Sequence, residues 1–82
     1  MKSLNDTANR LLLALGRAGA DVSLEQKRFW SRSYGKMMTK YTVRTRDKAT
    51  QRRERLLETY KLADVVVLLA ELYEAEREER EP

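Results

Sequence analysis

The chain has 82 residues with no cysteine and no histidine, and its 17 Lys/Arg against 13 Asp/Glu give a net charge of +4. A chain of this length has room for one domain, which buries only roughly 60 to 65% of its unfolded surface, so the core is small and self-association would enlarge it. The missing residue types exclude a disulfide framework and thiolate chemistry and remove the commonest general base and the usual zinc ligands.

A hydrophobic content of 41% beside 37% charged residues suits a folded chain rather than a disordered tail. Met1-Lys2-Ser3-Leu4 leads into an amphipathic pattern containing Asn5, Asp6 and Asn9, which argues against a secretory signal. The longest apolar run, residues 65–70, is far shorter than the roughly 20 residues of a membrane span. A soluble, cytoplasmic protein with no membrane association is the expectation.

In chain order, Ser3 predicts a helix N-cap with Asp6 three residues on, and Leu4, Ala8, Leu11, Leu12 and Leu15 recur on one helical face. This first helix, within residues 1–16, is expected to stop at Gly16. Residues 17–46 follow as a basic connector and β segment. Two readings fit its centre. In one, Tyr34-Gly35 forms a two-residue loop joining strands 25–33 and 36–45 into a hairpin. Trp30, Met37, Thr39, Tyr41 and Val43 then share one face, while Lys27, Phe29, Ser31, Lys36, Met38, Lys40, Thr42 and Arg44 share the other. In the second, Ser23 caps a helix over 24–34 closed by Gly35, leaving a single strand near 38–45.

From residue 47 to 80 strong helix formers dominate, without Gly or Pro before Pro82. Asp47 predicts the cap of a helix from Lys48 to about Tyr60, with a second helical stretch from about 62 or 64 to 79, either joined as one bent helix or separate. Residues 65–70 are apolar all round and must be covered on more than one side. Val65, Val66, Leu69, Leu72 and Tyr73 are therefore the expected interface of a homodimer. The whole reads as a small single-domain α+β fold: N-terminal helix, short hairpin or single strand, and a long helical C-terminal part.

Charge is sorted along the chain. Residues 17–55 hold twelve Lys/Arg against four acids, and residues 56–82 hold eight acids against three Lys/Arg. A basic centre beside an acidic end points to a polyanionic partner or to paired surfaces. Lys40, Thr42 and Arg44 alternate along the expected strand, and Arg46, Lys48, Arg52, Arg53 and Arg55 continue the strip at spacings that suit phosphates. Phe29, Trp30, Tyr34 and Tyr41 are interleaved with Lys27, Arg28, Arg32, Lys36 and Lys40, a composition that stacks and holds single-stranded nucleic acid. Trp30 and Tyr41 read first as core, whereas Phe29 and Tyr34 fit exposed or partly packed positions equally.

No phosphate-cradling glycine loop occurs, and the carboxylates of residues 71–81 read as a solvated helix face rather than a catalytic or metal site. No enzyme activity, metal or cofactor is expected. The nucleic-acid-binding candidates are Lys27, Arg28, Phe29, Lys36, Lys40, Thr42, Arg44, Arg46, Arg52 and Arg53. The alternative is a small protein-interaction factor, of the phage or mobile-element accessory type, that docks on a partner protein.

The order of a polar-alternating strand at Lys40-Tyr41-Thr42-Val43-Arg44 followed by two helical segments resembles, in topology only, the ribbon-helix-helix family. Over residues 39–79 that resemblance implies paired strands placing alternate polar side chains in a DNA major groove.

Overall fold

The computed structural model describes residues 3–47 and 49–80; the expectations at Met1, Lys2, Lys48, Glu81 and Pro82 lie outside the described residues. The element order is α1 (Leu4–Arg17), β1 (Val22–Ser31), β2 (Lys36–Arg46), β3 (Arg53–Thr59) and α2 (Leu62–Arg80). The strands form one antiparallel sheet in the order β1-β2-β3. The fold is α+β, with an N-terminal helix, a three-stranded sheet and a separate C-terminal helix.

α1 starts where the sequence signals it. The Ser3 side chain accepts from the Asp6 backbone N–H at 3.2 Å, and Ser3 also accepts at its carbonyl from the Thr7 hydroxyl. Gly16 does not end the helix. Gly19, at φ 87°, supplies the left-handed residue, and the Ala20 N–H bonds the Leu15 carbonyl while the Gly19 N–H bonds the Gly16 carbonyl. These are the two bonds of a Schellman close, which seats Ala20 beside Leu15 in the core.

β1 and β2 form the hairpin, and the helix over 24–34 does not form. The strands run further toward the base than 25–33 and 36–45, and the connecting loop is four residues, 32–35, rather than two. Ser31 organises it: its carbonyl accepts from the Gly35 N–H at 2.8 Å and its hydroxyl accepts from the Tyr34 N–H at 3.2 Å. Gly35 sits at φ 62°, a conformation that costs other L-residues about 1–2 kcal/mol. At the other end the Asp21 carbonyl accepts from the Arg46 N–H and the Thr45 hydroxyl, locking the base of the hairpin.

The expected helix from Lys48 to Tyr60 is replaced by a tight reversal and β3. Asp47 does use its carboxylate to cap a backbone N–H, that of Ala49 at 2.8 Å. The turn it opens closes instead of propagating: the Gln51 N–H bonds the Asp47 carbonyl, Gln51 turns left-handed at φ 61°, and the Asp47 N–H bonds the Arg52 carbonyl. Helix propensities differ by only a few tenths of a kcal/mol per residue, and residues 48–60 offer too thin an apolar stripe to anchor a helix. Pairing with β2 half-buries Leu57 beside Val43 and sets Glu58 against Lys40, so tertiary pairing prevails. The topological resemblance to ribbon-helix-helix proteins fails at this point, since strand and helix follow β2 where two helices were expected.

α2 opens without a side-chain cap at Lys61. Thr59 substitutes: its hydroxyl accepts from the Lys61 N–H at 3.1 Å and donates to the Asp64 carboxylate at 2.7 Å, holding an acid in the positively polarised first turn.

Ala8, Leu15, Val43, Val65 and Leu69 form the fully buried core, with Leu11, Leu12, Val22, Leu24, Tyr41, Leu57 and Leu72 packed around it. The strand residues among them share one sheet face, so both helices lie against the base of that face and the opposite face is open. The molecule is flat and elongated, 52 × 37 × 14 Å. Its radius of gyration of 14.3 Å exceeds the roughly 11.7 Å expected for this length.

With so few fully buried side chains, each counts heavily. Leu69→Ala is expected to cost about 2–5 kcal/mol, whereas Val67→Ala, 58% exposed on the same helix, stays within about 0.5 kcal/mol. Urea unfolding followed by circular dichroism measures both.

Candidate nucleic-acid interface

Strand alternation decides which side chains share the open face. Lys27 and Phe29 of β1 and Lys36, Met38, Lys40, Thr42, Arg44 and Arg46 of β2 all project there, in register with one another. β3 contributes Glu58, Arg55 and Arg53. A bulge opposite Val43 and Arg44 leaves Leu56 unpaired, so Arg55 comes to the same side as Glu58 instead of the helix side. The Arg55 guanidinium donates to Glu58 at 2.7 Å as a result.

Two candidates lie elsewhere. Arg28 pairs with Thr39 on the opposite face, and Arg52 sits in the reversal before β3. Trp30, read first as core, also lies on the opposite face but beyond the helices: it is paired with Met37 and is 61% exposed. Tyr41 does pack against the core.

The charges divide along the strands. At the base, Lys40 bonds Glu58 at 2.8 Å, Arg55 shares that carboxylate, Arg44 pairs with Glu25, and Arg46 lies 3.7 Å from Asp21. Thr42 is buried between these pairs. Toward the tip the picture changes. Residues 26–46 contain no acid, and Lys27, Arg28, Arg32 and Lys36 make no ion pair with any described residue. These four cations gather on the distal arm, around the Ser31-anchored turn, while Arg10, Arg17, Arg52, Arg53 and Lys61 also make no ion pair with a described residue elsewhere.

Apolar groups accompany it. Trp30, Tyr34 and Met37 are each at least 60% exposed, and on the open face Phe29 meets Tyr60 with ring centroids 6.1 Å apart and planes tilted by 54°. Arg32, Arg55, Trp30, Tyr34, Met37 and Tyr60 were outside the candidate set. Alternation in the hairpin reading already sets Trp30 and Met37 on one face, where Trp30 reads as core rather than as exposed, whereas Tyr60 and Arg55 depend on the bulge and on β3.

Of the expected dimer residues, Val65 and Leu69 are consumed by the monomer's own core, while Val66, Leu72 and Tyr73 are half-buried against it. Tyr73 also carries the Arg77 guanidinium over its ring at 5.9 Å. Among the described residues no helix is long and apolar enough to cross a membrane. Comparison with protein-family models, with curated proteins and with solved structures finds no match.

The Lys40/Glu58 pair has a definite pH signature. Hydrogen bonding to Glu58, and then that carboxylate's charge, raise Lys40 above the usual lysine range. Hydrogen bonding to Lys40, and then its charge, lower Glu58 below the usual carboxylate range. The Glu58 contribution to stability is therefore present above its unfolded pKa and is lost as pH falls through its depressed folded value. The Lys40 contribution is present below its unfolded pKa and is lost as pH rises through its raised folded value. Glu58→Gln should flatten both limbs of the melting temperature against pH by a small amount, since both side chains are about one-third exposed and screened by solvent. Thermal melts of the two proteins across the acid and alkaline ranges provide the check.

Proposed function

We propose that this chain is a non-enzymatic nucleic-acid-binding module whose contact surface is the β1–β2 arm continued onto the open sheet face. The observation that carries this reading is the run of residues 26–46, which has seven cations and no acid and leaves Lys27, Arg28, Arg32 and Lys36 uncompensated at the arm's end. Unpaired cations on a projecting ribbon release counterions from a phosphate backbone without first breaking a bond inside the protein. The base cations Lys40, Arg44 and Arg46 contribute less per residue, because each already faces a carboxylate.

If the arm makes the contacts, log affinity for nucleic acid falls linearly with log salt, and Lys27→Ala, Arg32→Ala and Lys36→Ala each reduce the slope by about 0.7 to 0.9. Arg77→Ala, on α2, leaves it unchanged. Fluorescence anisotropy over a salt series measures the slope, and absence of binding at low salt by the folded protein overturns the reading.

A second reading, docking on a protein surface or on another copy of the chain, is favoured by one observation. The accessible surface of 6455 Å² exceeds the roughly 5,100 Å² expected for a monomer of 9.6 kDa. The excess, roughly 1,350 Å², is more than the roughly 800 Å² that each partner contributes to a standard interface. Self-association would give twice the chain mass in sedimentation at micromolar concentration. Val67→Glu, at an exposed site opposite the buried face of α2, would return it to monomer without loss of helicity. A monomeric wild type excludes the dimer.

A further inference from the structure

Resting on the nucleic-acid reading, we propose that the ligand of the arm is single-stranded and that its bases stack on Trp30, with Met37 completing the apolar surface and Arg28 on the same face and Arg32 in the turn meeting the flanking phosphates. Trp30 and Met37 are directly opposed across the hairpin on one face, both about 60% exposed, with Arg28 next along that face. Tyr34 stands 70% exposed in the adjoining turn, its backbone N–H fixed by the Ser31 hydroxyl. Three large apolar side chains gathered on one exposed turn are not the singly scattered hydrophobics of an ordinary surface. Arg28 on that face and Arg32 in the turn, within the acid-free residues 26–46, match them to a polyanion that also offers flat apolar groups.

The chemistry of the tip separates single strands from duplex. Reading base edges in a groove calls for forked donors and acceptors such as Asn and Gln beside Arg. Residues 27–46 contain no Asn or Gln, and the large apolar side chains exposed at the tip are two rings and a thioether. A duplex presents base edges and keeps base faces stacked inside, whereas a single strand exposes the faces that an indole can cover. The Ser31 bonds hold the backbone of the turn in place before binding, which lowers the ordering cost of association.

Trp30 is the chain's only tryptophan, so intrinsic fluorescence reports on this position alone. The folded full-length protein is titrated at low salt with a thymidine oligomer, a duplex of equal length, and inorganic polyphosphate, which carries charge without bases. The thymidine oligomer should quench Trp30 and bind more tightly than the other two. Trp30→Ala should weaken its binding about 5- to 150-fold by anisotropy of a labelled oligomer, and Trp30→Phe should restore most of the loss. The side chain is mostly exposed, and circular dichroism verifies that both variants stay folded. Equal affinity for duplex or polyphosphate, or unchanged oligomer binding by Trp30→Ala, overturns the stacking inference while leaving the arm as a polyanion-binding element. Failure to bind any of the three overturns both.

Discussion

The two faces of β2 govern the rest of the molecule. Val43 and Tyr41 turn toward the helices, and Val43 loses all contact with solvent; Lys40, Thr42 and Arg44 turn the other way. Because side chains alternate strictly, a slip of one residue in either neighbouring strand would send charged groups into the core and Leu24 or Leu57 into water. The register is therefore fixed from the hydrophobic side. The polar side inherits that register, and with it the lateral contacts of Lys40 with Glu58 and Arg44 with Glu25.

This division separates the core from the distal arm in space. The fully buried residues lie where α1 and α2 meet the base of the sheet, and the ion pairs of the open face cluster over the same base. Exposed ion pairs add little net stability, but they neutralise the cations that participate. The distal arm has neither core beneath it nor acids beside it. It is held by ladder hydrogen bonds and by Ser31, and Trp30, Tyr34 and Met37 stay exposed on it.

How much of this was legible in the sequence varies with the range of the interaction responsible. Ser3, the α1 stripe and the two faces of the hairpin rest on neighbouring residues; in the hairpin reading, which local signals alone do not separate from a helix over 24–34, alternation around Tyr34-Gly35 places every paired position from Trp30 to Val43 on its observed face. The region 47–60 failed because a local signal was genuine but its continuation was not local. Asp47 caps a turn, yet whether that turn becomes a helix depends on Val43 and Lys40 offering partners to Leu57 and Glu58. Trp30 was misjudged for a related reason. Its hydrophobicity suggests burial, but how far the helices reach along the sheet is set by packing at Val43 and Leu15, not by anything near residue 30.

The acidic end of the chain completes the electrostatic arrangement. Glu74 pairs within α2 to Arg77, and among the described residues no ion pair joins α2 to the arm. An acidic helix folded onto Lys27 or Lys36 would compete with any polyanion for the same donors. Kept apart in a molecule 52 Å long, and screened over about 8–10 Å at ordinary salt, it leaves the arm's charge available. The sorting of charge along the sequence thus becomes a sorting between elements of the fold, the acids on α2 and the acid-free stretch on the hairpin.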